Sequence, residues 1–415
     1  MGLRHIAAVL GVAMLVAPAF AQPSEPQPEP APEPAESLDL HHIEIHGFVS
    51  EGAFASTAND YIGNSSQGSL KLLEVGINFS TEVAERLRAG VQVFGRELGK
   101  FEDRPHFDWA FLDYRWRPWL GLRAGIVKMP FGLYNEYTDI DSGRVPILMP
   151  QSVYPIRNRD VLLAHRGFSV YGNVDLGSGG ELDYQSWFGT LSIPENALDL
   201  SGATLDGIDT RYVTGAQLFW SPPVEGLRVG ATWLRASIDF DLTLSPENIQ
   251  LLIDAGVVPA DFDGKLVISQ RPDTWVIGSA EYTHERWLFA LEYSRAFKHQ
   301  QTTLPAALPA FDEDSERFYG LATYRFSPEF EVGGYYSVLH ADAGDRQGRN
   351  EEAFPQRVRA FQRDLAATLR YDVNEYWLWK LEAHFIDGAA DLIAIDNPDP
   401  ERYWGLFLLR TTLTF

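Results

Sequence analysis

Cysteine is absent from the 415-residue chain, which excludes a disulfide framework and thiol chemistry. Positive charge is scarce. There are 34 Lys and Arg against 57 Asp and Glu, a formal net charge of −23. That balance excludes nucleic acid as a partner, because phosphate binding needs a basic face. Long apolar runs are also missing. The run Ile6 to Val16 falls short of the roughly 20 apolar residues that a membrane-crossing helix needs, and no later stretch qualifies. A membrane protein of this chain must therefore cross as a closed barrel, the other structure that satisfies every backbone polar group in lipid. No Gly-rich phosphate loop and no nucleophile elbow is present, so neither a cofactor nor an enzyme is expected. His41 and His42 are adjacent and point to opposite faces of a strand, a poor arrangement for sharing a metal.

The first segment reads as an address. Arg4 and His5 precede the apolar run, and Ala19-Phe20-Ala21 supplies a small-x-small cleavage pattern, so residues 1–21 are expected to be a secretory signal peptide. Residues 22–40 alternate proline with glutamate. Such a segment favours extended polyproline II, either as a solvated spacer or as a periplasmic contact. Residues 41–415 show no composition break and are expected to form one domain.

From His41 onward the hydrophobic period is two. Leu73, Val75, Ile77 and Phe79 alternate with Glu74, Gly76, Asn78 and Ser80. Trp377, Trp379, Leu381, Ala383 and Phe385 alternate with Leu378, Lys380, Glu382 and His384. Half-buried strands give this pattern in a soluble sandwich as well as in a barrel. Three features favour the barrel. The runs reach about ten residues, enough to cross a bilayer at a tilt. Aromatics, 13% of the chain, gather near strand ends, as at Trp116, Trp119, Trp220, Trp287, Phe326, Phe330, Tyr376 and Trp377. Short connections, such as Pro118–Trp119 and Thr283–Arg286, alternate with long ones near Thr57–Ser69, Leu98–His106, Pro130–Ala164, Asp241–Gln270 and His299–Ser315. The expected fold is all-β: a transmembrane antiparallel barrel of about 16 strands, with short periplasmic turns and long outer loops. Outer-membrane lipid and lipopolysaccharide would surround it. Ser245-Pro246-Glu247 predicts a helix start in one outer loop. The chain stops on Phe415 after Phe407, Leu409 and Leu413 on one face, which resembles the signal that barrel-assembly machinery reads.

By parity, Arg88, Asp113, Arg115, Arg123, Arg228, Arg325, Arg370, Lys380 and Arg410 point into the barrel, as do Glu74, Asp364 and Glu382. A charge facing lipid at mid-bilayer would cost about 2–4 kcal/mol. Two readings of this set stand open: a lining that meets permeating ions, or an interior salt-bridge network that stiffens the wall. The connection near 130–164 is the candidate constriction. It carries Arg144, Arg157 and Arg159 against Glu136, Asp139, Asp141 and Asp160, and opposed charges across a narrow opening orient an ionic or dipolar solute.

The stretch Gly125-Ile126-Val127-Lys128-Met129-Pro130-Phe131-Gly132 resembles the Gly-x-x-Lys-x-Pro-Phe-Gly motif of the phosphate-selective porin O/P superfamily, and His46-Gly47-Phe48-Val49-Ser50 resembles the opening strand of dicarboxylate-uptake relatives. The resemblance implies a homotrimeric, sixteen-stranded porin, narrowed by a loop, that passes small hydrophilic solutes and favours anions such as phosphate or carboxylates. Lys128 shares parity with Leu122, Ala124 and Ile126, the lipid-facing set. Either the chain bends before Pro130 and turns it inward, or it lies at the interface. A sugar-uptake porin, an adhesive or structural barrel and an outer-membrane hydrolase are the rival readings.

Overall fold

The computed structural model describes residues 43–415, except positions 100, 139, 192–202, 307, 309, 352, 353, 355 and 395, and describes only the backbone of 101–104, 158 and 160. The signal-peptide segment, the Pro/Glu segment, the His41-His42 pair and Asp139 lie outside the described residues, as does the Asp160 side chain.

Among the described residues, sixteen strands close into one antiparallel barrel, each paired with its neighbours in sequence. They are β1 (Glu44–Ser56), β2 (Leu72–Ala84), β3 (Leu87–Leu98), β4 (Phe101–Arg117), β5 (Leu120–Lys128), β6 (Ala164–Asp175), β7 (Glu181–Leu191) and β8 (Ala203–Ser221). The second half comprises β9 (Leu227–Leu244), β10 (Lys265–His284), β11 (Trp287–Thr302), β12 (Phe311–Arg325), β13 (Phe330–His340), β14 (Phe361–Asn374), β15 (Trp377–Gly388) and β16 (Tyr403–Thr414). Strand β1 pairs with β16 from Phe48 opposite Thr414 to Ser56 opposite Leu406. Just beyond, Gly47 and Phe415 exchange two backbone hydrogen bonds of 3.0 Å. The seam therefore leaves no edge.

The period of two does what the sequence predicts. Leu112, Trp116, Leu122, Leu291, Leu365, Leu381, Phe385 and Leu409 stand exposed on the outer face. Their neighbours Glu292, Asp364, Lys380, Glu382 and Arg410 are buried on the inner face. An outer face of this composition is stable only against lipid. Rings gather at the short-turn rim, with Trp116 and Trp119 at 5.6 Å, Trp287 and Tyr324 at 4.5 Å, and Trp377 and Trp379 at 6.1 Å. Such belts suit the interface, where one edge of the ring is wet.

Three connections differ from expectation, one of them that at His299–Ser315, which is shortened because β11 continues to Thr302 and β12 starts at Phe311. The long one near Leu98–His106 is absent. Phe101 to His106 pairs back onto β3, Phe101 opposite Leu98 and His106 opposite Phe94, so the strands join through positions 99–100. Register shifts beside Phe94 break the alternation there, which hides the strand from a period-two reading. The loop expected at Asp241–Gln270 shrinks in the same way, because β9 continues to Leu244 and β10 starts at Lys265. The helix in that loop runs Pro246–Asp254, and Ser245 caps it by accepting from the Asn248 amide at 3.3 Å.

The connection from Met129 to Leu163 does not rise from the barrel. It folds inward and supplies apolar side chains to two interior clusters. Met129, Phe131, Leu133, Met149 and Tyr154 pack against Trp187, Val213, Leu234, Ile277, Tyr319 and Tyr335. Ile147 and Leu148 pack against Phe54, Leu72, Leu98, Trp404 and Leu406. Each such side chain contributes about 1.5–3 kcal/mol on burial. A barrel of this width would otherwise hold water along its axis.

Candidate functional site

The inward loop is held at both ends and along its length. Asn135 closes its base by donating to the carbonyls of Met129 at 2.9 Å and Leu162 at 2.7 Å. The Lys128 ammonium donates to the Glu136 carbonyl at 2.8 Å, so it ends on the loop. Gly132 sits at φ +64, a conformation that side-chained residues rarely adopt. A Cβ there would strike the Tyr154 hydroxyl and the Glu292 carboxylate. The missing side chain lets the backbone lie against Tyr154 and β11, while Gln217 of β8 donates to the Gly132 carbonyl at 2.9 Å.

Glu292, inward on β11 between lipid-facing Leu291 and Tyr293, is a principal anchor. Its carboxylate accepts from the Leu133 amide at 2.9 Å, from Ser279 at 2.5 Å, from Tyr319 at 2.8 Å and from Tyr154. On the neighbouring strand β10, Glu281 accepts from the Tyr134 hydroxyl at 2.8 Å.

The far side of the loop meets β14, β15 and β16. Lys380 donates to Asp141 at 2.9 Å, Thr412 donates to it at 2.7 Å, and Arg410 lies 3.9 Å away while bonded to Glu74. Burial works against the Asp141 charge, but Lys380, Arg410 and Arg144 together hold its carboxyl well below the usual carboxylate range. Glu382 accepts the amides of Ile147 at 2.7 Å and Leu148 at 2.8 Å, and His384 bridges it to Asp364. Arg370 donates to the carbonyls of Ser142 at 2.8 Å and Arg144 at 3.2 Å. Arg144 turns back onto the carbonyls of Pro146 and Ile147. Near the loop's end, Arg157 pairs with Asp391 at 2.6 Å. Arg159 pairs with Asp108 of β4 at 2.9 Å, its guanidinium 4.0 Å from the Phe94 ring centre.

The inward charges thus fall into two groups. Lys380, Arg410, Glu74, Glu382 and Asp364 are sealed beneath the loop, and Arg370 is tied to its backbone. On β4 to β9 the part of the wall nearest the short turns is uncovered. Arg123 pairs with Asp113 at 3.0 Å, and Arg228 with Glu281 at 3.3 Å. Arg115 stands exposed, and no ion-pair partner is found for it among the described residues. Arg88 and Arg325 sit at the short-turn rim, Arg88 on Ser80 at 2.8 Å and Arg325 on Glu331. Glu136 projects from the loop toward this side. Burial raises its pKa, while Arg123 and Lys128 pull it back in part. A cavity of about 340 Å³ lies here, lined by Arg115, Glu136, Tyr171, Gln185 and Arg228 among others.

Glu292, Glu281, Gln217 and Thr412 are anchors that the sequence reading did not single out. Parity was their available signal, since each is polar at an inward position.

A closed sixteen-strand barrel with one long loop folded inside is the architecture of outer-membrane porins. Solved structures of that class match the chain: an anion-selective porin from Comamonas acidovorans (9% identity, TM-score 0.56, 90% of this chain and 99% of that one), the outer membrane channel DcaP of Acinetobacter baumannii (13%, 0.53, 90% and 97%), and OmpF of Salmonella typhi (12%, 0.55, 90% and 97%). At such identities the likeness establishes the fold. No family model matches the chain, and no curated protein matches it.

Proposed function

We propose that the protein is an outer-membrane porin through which small hydrophilic solutes diffuse passively, along the uncovered β4–β9 side of the barrel. The observation that carries this reading is the inward loop. It is fixed to β8–β11 and β14–β16, yet it leaves a polar cleft beside Arg115 and Arg228. In this reading residues 1–21 direct export, residues 22–40 form a periplasmic linker, the barrel assembles through the Phe415 seam in lipid and lipopolysaccharide, and three copies associate. A trimer form is known for OmpT of Vibrio cholerae, another structure of this fold.

The finer expectation is a modest preference for small anions such as phosphate or carboxylates, in keeping with the superfamily resemblance around Lys128. Arg115 supports it, being an exposed cation with no ion-pair partner among the described residues, whereas Arg123 and Arg228 are largely neutralised by Asp113 and Glu281. Single-channel recording of the purified protein in planar bilayers tests both levels. Stepwise conductance and a reversal potential of anionic sign across a KCl gradient are expected. No conductance overturns the pore, and a cationic reversal potential overturns the anion preference.

A further inference from the structure

We propose that the β4–β9 cleft contains a subsite for the ring of a neutral sugar. The inference rests on reading this cleft as the permeation path. The cavity of about 340 Å³ lies between the loop and the short-turn rim, within the size range of small-molecule sites. Its charged lining residues are Arg115, Arg228, Glu136 and Asp183, two of each sign, with Arg228 already paired to Glu281 at 3.3 Å. A phosphate or carboxylate drawn to Arg115 also passes Glu136 and Asp183, which keeps the anion preference modest and gives no ion a tight site. A cation would meet the reverse.

Neither Arg115 nor Glu136 has an ion-pair partner among the described residues, although both line the same cavity. A sugar hydroxyl both donates and accepts, so adjacent hydroxyls answer an arginine and a carboxylate at once. The cavity also holds a spare amide. The Nε2 of Gln185 is buried without a hydrogen-bond partner, a state that costs free energy until a ligand or water fills it.

One ring supplies the apolar half of the recognition. Tyr171 is already engaged: it lies over Gly121, with the Arg123 guanidinium 4.8 Å from its ring centre and its hydroxyl donating to Asp113 at 2.5 Å. Tyr137 comes from the loop and is 55% exposed, with no partner for its hydroxyl among the described residues. The C–H face of a pyranose is apolar and its rim is polar, and the cleft offers a surface to each.

Maltose block of the ion current in planar bilayers, together with calorimetric titration of maltose into the detergent-solubilised barrel, tests the proposal. The current is expected to fall and saturate with maltose. A polyethylene glycol of equal size should lower it without saturation. Tyr137→Ala should raise the half-blocking maltose concentration about tenfold, as loss of a stacking ring does, and Tyr137→Phe should restore it. A conducting channel in which maltose behaves like the polymer overturns the subsite and leaves the porin reading intact. Saturable block by glycine or phosphate but not by maltose overturns it too. Calorimetric maltose binding by a barrel that fails to conduct supports the subsite and overturns the porin reading.

Discussion

The two sides of the barrel interior use the same residue types to opposite ends. On β14–β16, cations and carboxylates are buried under the loop and bonded to it: Lys380 to Asp141, Arg370 to two loop carbonyls, Glu382 to two loop amides. On β4–β9, the arginines pair within the wall or face the cleft, as Arg123 with Asp113 and Arg115 with no ion-pair partner among the described residues. On the proposed function, an inward charge is structural where the loop covers it and available to a solute where it does not. The wall-stiffening and solute-facing readings of the sequence are therefore matters of position.

The contrast is sharpest in stability. Lys380→Met leaves Asp141 buried without its nearest cation, which should cost about 3–5 kcal/mol. Arg115→Met should stay within about 0.5 kcal/mol, as exposed substitutions do. The temperature at which each variant loses its folded gel mobility reads both, and equal losses would remove the distinction. Next in size is Glu292→Ala, which leaves the Leu133 amide and the hydroxyls of Ser279, Tyr154 and Tyr319 without their shared acceptor. Freed from β11, the loop should widen the cleft and raise single-channel conductance about twofold, with added current noise, because a narrow opening sets the resistance. An unchanged conductance would mean that Glu292 does not set the opening.

Arg115→Glu should leave stability alone and shift the reversal potential toward cations. A shift as large in Lys380→Gln would show that the sealed charges also reach the ions. The smallest expected effect is that of mild acid. The folded pKa of Asp141 lies below its unfolded value, so its contribution is complete above about pH 4 and is lost only as pH falls through the folded value. Glu136 is raised and takes up its proton earlier in an acid titration. From pH 7 to pH 5, selectivity should move toward anions while thermal stability of the clamp stays level. A fall in stability over that interval would contradict the burial of Asp141 among three cations.

Much of this fold is legible in the sequence, because parity is local. Leu291, Glu292 and Tyr293 declare which face each takes, and so do Leu381 and Glu382. Short turns such as Pro118–Trp119 stand where the pattern breaks. What parity cannot carry is the route of the loop. Lys380 and Asp141 are 239 positions apart, and nothing near either residue announces the other. The sequence places Lys380 and Arg115 in the same inward set, and only the loop's path across the interior separates them. The β3–β4 connection is missed for a local reason: the register shifts beside Phe94 put strand residues out of phase.

The seam between β1 and β16 has a consequence for how the molecule is made. Gly47 and Phe415 are bonded to each other across it, and Gly52 stands opposite Arg410. Until that junction forms, both terminal strands offer open rows of donors and acceptors to lipid, where nothing answers them, or to another copy, where everything does. Insertion is thereby coupled to circularity: a sheet of sixteen strands with fifteen pairings is a template for polymerisation, and one more pairing turns it into a finite object.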